Sequence, residues 1–185
     1  EADREARRLI RTLQEKNPSA RIVVTGCYAQ KDEKEILTLG GVTHIVKQHE
    51  KDRIPDILKE KESSSTSPYI SPSLTQRPTW LSLQLSDFKG HTRAFIKVQD
   101  GCDYRCAFCK VWVVRGSSVS RPLLEIVQEA ERLSRNGFRE VVLTGVSIGL
   151  YGRDLKEKAD LLDVAKALES VPGVERVRLS SIDPI

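Results

Sequence analysis

Three cysteines lie close together in the chain, at positions 102, 106 and 109 of the run Cys-Asp-Tyr-Arg-Cys-Ala-Phe-Cys. Thiolates at this spacing can converge on one metal centre. A 4Fe–4S cluster is held by cysteine thiolates and offers four irons for ligation. Three cysteines with no fourth nearby therefore predict a cluster with one iron left open. An open coordination position is where chemistry takes place, as in catalytic zinc sites.

Spacing alone leaves other interpretations of these cysteines open. A structural zinc site needs a fourth ligand, and the nearest candidate is His91, well upstream of Cys102. Cys106 and Cys109 also have the spacing of a thioredoxin-like redox motif, which leaves Cys102 without a role. A disulfide framework is disfavoured, because 4 cysteines in 185 residues are far from a disulfide-rich composition. The residue types favour the cluster over zinc.

The segments around the cysteines predict strands alternating with helices. Residues 95–100 have the pattern of a buried strand, and Gly101 supplies a turn into the cysteine loop. Ser120 is placed to cap a helix with Pro122 in its first turn. Apolar residues then recur at helical spacing, namely Leu124, Val127, Ala130 and Leu133. Further strands at 140–144 and 174–180 and a helix at 161–168 predict the first part of a right-handed, parallel (β/α) barrel.

The first sixty residues predict a small α/β domain of their own. Helices are expected at 2–16, 32–39 and 52–60, and strands at 22–25 and 44–46, which implies a parallel sheet. Cys27 follows the first strand, where parallel sheets bind ligands. A lone cysteine at such a position is more often a small buried apolar residue.

A polar segment separates these two parts. Residues 62–78 contain six Ser, two Thr and three Pro, a composition that buries too little apolar surface to order itself. We therefore predict one domain at 1–61, a Ser/Pro-rich linker at 62–88 and a second, incomplete domain at 89–185. Because the chain starts at Glu1 and has no methionine, we expect it to be an excerpt of a longer protein.

Charge and hydropathy narrow the classes of function. The formal net charge of +4 is compatible with an RNA partner without requiring one. No apolar stretch is long enough to predict a membrane span in this segment. Reduced, metal-binding cysteines predict a cytoplasmic setting.

Residues 93–185 resemble the N-terminal part of a radical S-adenosylmethionine (SAM) domain, in which a three-cysteine loop follows the first barrel strand. The run from Lys97 to Pro122 is similar to the methylthiotransferases of that superfamily. The run Leu143–Gly152 looks most like the branch that modifies threonylcarbamoyladenosine in tRNA, and residues 179–184 point the same way. The resemblance implies that Cys102, Cys106 and Cys109 hold a 4Fe–4S cluster whose open iron binds SAM. It also implies SAM contacts at Phe108, Thr144 and Gly145; taken alone, these would be a core aromatic and an ordinary turn.

The run Val23–Gln30 resembles the end of the N-terminal methylthiotransferase domain. Three cysteines of that domain bind an auxiliary 4Fe–4S cluster in the family, and Cys27 matches the third. Counterparts of the other two would precede Glu1. The resemblance thus implies two clusters in the full-length protein.

The resemblance further implies a reaction and its partners. The cluster reduces SAM with one electron from an external donor, a 5′-deoxyadenosyl radical activates C2 of adenosine 37 in tRNA, and a methylthio group is delivered there. Two departures bear on the substrate: the usual proline after the third cysteine is absent from Lys110–Val114, and Val119 stands where the family has an arginine. Rival substrates are isopentenyl-adenosine in tRNA and a ribosomal protein aspartate. A rival from another class is a non-catalytic iron–sulfur or zinc-binding module.

Overall fold

The structure is a computed structural model that describes residues 1–59, 68–71, 80, 90–180 and 182 of the chain. The chain divides into two compact units, Glu1–Gln76 and Arg77–Ile185. Both units are α/β, and both contain a three-stranded parallel sheet. The α/β fold class predicted from the sequence is therefore confirmed.

The first unit is built on three strands, which pair in the order β1 (Ile22–Thr25), β2 (Val42–Val46) and β3 (Tyr69–Ile70). Its buried core brings Ile10 of the first helix against the sheet residues Ile22, Val24 and Ile45. The elements of this unit, in chain order, are α1 (Ala2–Lys16), β1 (Ile22–Thr25), α2 (Cys27–Lys31), α3 (Glu33–Thr38), β2 (Val42–Val46), a 3-10 helix (Gln48–Arg53), α4 (Ile54–Lys59) and β3 (Tyr69–Ile70).

Two of these elements begin and end at the predicted residues, namely α1 and β1. Strand β3 was not predicted, because it lies within the Ser/Pro-rich segment. Tyr69 and Ile70 nevertheless pair in parallel with His44 and Ile45 of β2. The predicted linker otherwise falls outside the described residues, apart from Pro68, Ser71 and Trp80.

The second unit is built on a three-stranded sheet in which β7 (Glu140–Thr144) lies between β4 (Arg93–Lys97) and β8 (Arg176–Leu179). An antiparallel pair of short strands, β5 (Gln99–Asp100) and β6 (Val119–Ser120), lies in the same unit. Its elements, in chain order, are β4 (Arg93–Lys97), β5 (Gln99–Asp100), α5 (Val111–Arg115), β6 (Val119–Ser120), α6 (Leu123–Arg135), β7 (Glu140–Thr144), a 3-10 helix (Ile148–Leu150), α7 (Leu161–Glu169) and β8 (Arg176–Leu179).

The core of the second unit covers one face of strand β4. Ala94, Ile96 and Val98 are fully buried and pack in a cluster with Ile126 of α6. Phe95, which points to the opposite face, is 40% exposed. The prediction of a buried strand is therefore correct for one face only, because side chains alternate along a strand.

The orientation of helix α6 differs from the sequence pattern in one respect. Ile126, Ala130 and Leu133 are buried, as an amphipathic helix requires. Leu124 belongs to the predicted apolar stripe, yet it is 67% exposed. The sheet receives the face centred on Ile126, and Leu124 lies away from that face.

The start of α6 also corrects a prediction. Pro122 is the residue that precedes the helix, and no side chain caps it. Ser120 lies in β6, where its hydroxyl accepts a hydrogen bond from the Gly152 N–H at 2.8 Å. Ser120 therefore joins two loops instead of capping the helix. None of the described helices has the length and apolar character that crossing a bilayer requires.

The orientation of α6 can be tested with two alanine variants. Ile126→Ala should lower the free energy of unfolding by about 2–5 kcal/mol, because it leaves a cavity in the core. Leu124→Ala, a change of the same type on the same helix, should alter it by no more than about 0.5 kcal/mol. Urea denaturation of the full-length protein, followed by circular dichroism, measures both. Equal losses would contradict the described face of α6.

Candidate cofactor site

The three predicted ligands lie on a loop between β5 and α5. Cys102 and Cys109 are partly buried, Cys106 is exposed, and none of them forms a disulfide. The Cys102 N–H donates to the carbonyl of Gly116 at 3.1 Å, and the Cys109 N–H donates to that of Cys106 at 3.0 Å. The loop is thus held by its first residue at one end and by a turn at the other.

The donor chemistry of this loop fits an iron–sulfur cluster. Thiols are the ligands that such clusters require, and these three are free. Within the described residues, however, no group of three or more His, Cys, Asp or Glu side chains stands in a metal-binding arrangement. His91, the candidate fourth ligand for zinc, instead forms a T-shaped ring pair with Phe95, with 6.4 Å between ring centroids.

Gly101 makes the turn from β5 into the cysteine loop. Its φ of +73° lies in the left-handed region. A Cβ at this position would lie 2.1 Å from the carbonyl oxygen of Ser117. The predicted turn is therefore confirmed. It favours glycine over other residues for two independent reasons, the left-handed φ and the lack of space for a Cβ.

The carboxylate of Asp100 supports the same turn. It accepts a hydrogen bond from the Gly101 N–H at 2.9 Å. Its other oxygen forms ion pairs with Lys97 and Arg115. Because Arg115 ends α5, this carboxylate joins the entry of the cysteine loop to its exit.

The predicted SAM-binding turn, Thr144–Gly145, follows strand β7. The Thr144 carbonyl accepts a hydrogen bond from the Val98 N–H at 2.9 Å. A Cβ on Gly145 would lie 2.8 Å from the side chain of Ile148 and 3.0 Å from the carbonyl oxygen of Gln99. Glycine is therefore required here by the protein's own packing, whether or not a ligand approaches.

Phe108 is 91% exposed, so it is not a core residue. The same loop and the following helix expose further aromatic surface at Tyr104 and Trp112. The Arg105 guanidinium lies 5.5 Å from the centroid of the Trp112 ring, within the range of a cation–π contact. Sequence analysis singled out neither Tyr104 nor Trp112 as functional.

Gln99 is the residue of this site that sequence analysis missed. Its side chain is fully buried between the cysteine loop and the turn after β7. The amide nitrogen contacts the carbonyl oxygens of Asp100 and Gly101 at 2.9 and 2.8 Å, and the Ser118 hydroxyl at 2.9 Å. The amide oxygen accepts from the N–H groups of Val146 and Ser147 at 3.0 and 2.8 Å. One side chain thus bonds to both predicted ligand-bearing loops.

Arg121, directly after strand β6, is a second buried polar residue of this unit. Arg121 is 2% exposed and forms a buried ion pair with Glu129 of α6. The Tyr151 hydroxyl donates to the Arg121 carbonyl at 2.8 Å. Burial, reinforced by the nearby charge of Asp154, raises the pKa of Tyr151 to about 12.

Cys27 belongs to the first unit. It is the first residue of α2, directly after β1 and Gly26, and it is exposed. The structure thus places it beyond the carboxyl end of a parallel strand, as predicted. Its exposure does not fit the alternative of a small buried core residue.

Comparison with known proteins gives matches in both units. Residues 96–185 match the family described as "Radical SAM superfamily", and residues 1–64 match the one described as "Uncharacterized protein family UPF0004". A threonylcarbamoyladenosine tRNA methylthiotransferase, MtaB, of Rickettsia prowazekii is 38% identical over 98% of this chain and 42% of its own length. The protein of the same name from Thermotoga maritima is 35% identical over 99% of this chain and 41% of its own length. A ribosomal protein uS12 methylthiotransferase, RimO, of Flavobacterium johnsoniae is 32% identical over 82% and 36%.

The fold and these matches place the second unit among radical SAM domains. Residues 96–185 belong to the radical SAM superfamily, and nearly the whole chain is similar to methylthiotransferases of that superfamily. This family implies SAM and a 4Fe–4S cluster as cofactors. The chain spans about two fifths of the length of the curated relatives that it matches.

The turn at Gly101 can be tested against another glycine of the same unit. Gly101→Ala should destabilise the protein by at least about 1–3 kcal/mol, because the methyl group adds a clash to the cost of the left-handed φ. Gly90→Ala has a similar φ of +78°, but among the described residues, apart from its chain neighbours, no atom lies within 4 Å of the added Cβ. It therefore isolates the backbone cost. Unfolding free energies from urea titration compare the two, and equal losses would contradict the close packing against Ser117.

The pKa of Tyr151 predicts how stability depends on alkaline pH. The folded state holds the phenolic proton more tightly than the unfolded chain, in which tyrosine titrates near pH 10. Stability should therefore decrease as pH rises from about 10 to about 12, because unfolding then releases a proton. Tyr151→Phe should remove this part of the pH dependence, and Tyr104→Phe serves as the control. Thermal midpoints measured across this range provide the test, and an unchanged slope in Tyr151→Phe would contradict it.

Proposed function

We propose that this protein is a radical SAM methylthiotransferase that adds a methylthio group to C2 of N6-threonylcarbamoyladenosine 37 in tRNA. The observation that carries the proposal is the loop of three free thiols, which Gln99 joins by hydrogen bonds to Val146 and Ser147, directly after Thr144 and Gly145. Similarity to relatives that bear this activity in their names supports the choice of substrate.

In this proposal Cys102, Cys106 and Cys109 hold a 4Fe–4S cluster, and SAM occupies the remaining iron. Cys27 is one of three ligands to an auxiliary 4Fe–4S cluster, so that the full-length protein holds two. When bound, the first cluster supplies the electron for reductive cleavage of SAM. The protein's own contribution is to bind, orient and shield the reactants.

Each proposed contact to SAM has a physical basis in the described residues. Phe108 precedes the third cysteine, and its ring is open on both faces, which suits stacking on the adenine. Thr144 is the last residue of the central strand β7 and Gly145 follows it, at the edge where parallel sheets bind ligands. Because the Thr144 carbonyl is bonded to Val98, the turn is fixed before any ligand arrives.

The proposal also includes the partners of the reaction. Reductive cleavage of SAM consumes an electron, so an external electron donor is needed. The net charge of +4 is compatible with tRNA as the substrate. The cytoplasm is the compartment we propose, because the free thiols need a reducing environment.

One observation keeps a second substrate in consideration. A relative named as a ribosomal protein uS12 methylthiotransferase matches most of this chain. The segment after Cys109 forms helix α5 and carries no proline, a departure from the family in the loop expected near the substrate. Methylthio transfer to the ribosomal protein by the reconstituted enzyme, with none to tRNA, would favour that substrate.

Two cysteine variants separate the proposed clusters. The full-length protein, reconstituted anaerobically, should bind about eight irons as two 4Fe–4S clusters. The triple variant, with alanine at Cys102, Cys106 and Cys109, should bind about four irons fewer and should not cleave SAM. Iron and sulfide analysis and the yield of 5′-deoxyadenosine measure these losses.

Cys27→Ala provides the matched comparison. Loss of one ligand to the auxiliary cluster should abolish methylthio transfer to tRNA, while the other cluster still cleaves SAM. If the triple variant kept full iron and full cleavage of SAM, the assignment of the cysteine loop would be wrong. If Cys27→Ala transferred the methylthio group normally, the auxiliary role of Cys27 would be wrong.

A further inference from the structure

The carboxamide of Gln99 lies at a position where two loops meet and water is excluded. The side chain has no exposed surface, although glutamine is mostly exposed in folded proteins. One loop begins at Asp100 and carries the three cysteines. The other begins at Thr144, 45 positions further along the chain than Gln99. A buried amide must satisfy its hydrogen bonds within these loops.

The partners fix the orientation of this amide. Its nitrogen faces the carbonyl oxygens of Asp100 and Gly101, which can only accept. Its oxygen faces the N–H groups of Val146 and Ser147, which can only donate. A flipped amide would oppose like groups at all four of these backbone contacts. The polarity of the two loops therefore selects a primary amide rather than an apolar or acidic side chain.

Packing around Gly145 sets how near the two loops approach. A Cβ on Gly145 would lie 3.0 Å from both the carbonyl oxygen and the amide oxygen of Gln99. The absence of a side chain at Gly145 thus lets the amide oxygen reach the N–H groups that follow. Contact between the loops depends on the pair Gln99 and Gly145 together.

We infer that Gln99 is a positioning residue that sets the distance between the cluster-bearing loop and the SAM-bearing turn. The inference rests on the proposed function, because that function assigns the two loops their ligands. Gln99 is proposed to contact neither ligand. It acts through the backbone of Gly101 on one side and of Val146 and Ser147 on the other.

Two substitutions by side chains of similar size remove different numbers of the Gln99 hydrogen bonds that join the two loops. Gln99→Met fills the space but offers neither donor nor acceptor of comparable strength. Gln99→Glu keeps two acceptor oxygens and offers at most one donor, so it preserves the bonds to Val146 and Ser147 and weakens those to Asp100 and Gly101. Ile126→Val removes one methyl group from the core of the same unit and serves as the control for general destabilisation.

The test measures SAM affinity and local backbone protection in the full-length protein after anaerobic reconstitution. Titration followed by the change in the electron paramagnetic resonance signal of the reduced cluster gives the dissociation constant for SAM. Hydrogen–deuterium exchange of the reconstituted protein, before SAM is added, reports on the amides of Val146 and Ser147. Gln99→Met should weaken SAM binding about tenfold and speed exchange at both amides. Gln99→Glu should weaken SAM binding less and leave both amides protected.

The outcomes separate this inference from the proposed function. SAM binding by Gln99→Met within about twofold of the unsubstituted protein would overturn the inference and leave the proposed function intact. An equal loss of affinity in Ile126→Val would also overturn it, since the effect would then be general destabilisation. If the unsubstituted protein itself failed to bind SAM, the proposed function would fall and the inference with it. Should Gln99→Met not fold, Gln99→Glu takes its place. A loss of SAM affinity in Gln99→Glu no greater than in Ile126→Val would then overturn the inference.

Discussion

A buried primary amide accepts only partners of matching polarity, and Gln99 imposes this constraint on the second unit. Its donors are taken by the loop that carries Cys102, and its acceptor by the turn after β7. Leaving one such buried group without a partner costs about 1–3 kcal/mol. The two loops are therefore not free to move apart, although they are far apart in sequence. Glycine at position 145 lets the two loops come close together, and glycine at position 101 permits the left-handed turn into the cysteine loop.

The parallel sheets explain why chemically capable residues gather at strand ends. Strand β4 leads through Val98 and β5 into the cysteine loop, and the central strand β7 leads into Thr144–Gly145. In the first unit, β1 leads directly to Cys27. Polar loops at the carboxyl ends of parallel strands can vary in chemistry while the apolar strands maintain the fold. Both units follow this rule independently.

Local patterns predicted much of the fold. Helix α1 and strands β1 and β7 have the predicted bounds, because their periodicity and their stop signals lie within a few residues. The predicted buried face of α6 was wrong at Leu124, because the sheet, and not the helix, decides which stripe is buried. Strand β3 escaped notice because its pairing with β2 outweighs a composition typical of linkers. Gln99 escaped for a similar reason: its acceptor role depends on backbone groups 47 and 48 residues away. The cysteine spacing, by contrast, is local and was visible at once.

Nucleoside mass spectrometry can test the proposed modification of threonylcarbamoyladenosine in tRNA. Total tRNA from a strain lacking the gene would be digested and compared with that from the parent strain. We expect the 2-methylthio derivative of threonylcarbamoyladenosine to disappear, the unmodified nucleoside to accumulate, and the methylthio derivative of isopentenyl-adenosine to stay unchanged. The gene restored on a plasmid should bring the lost nucleoside back. Persistence of 2-methylthio-threonylcarbamoyladenosine at the parental level in the deletion strain would contradict the proposed activity.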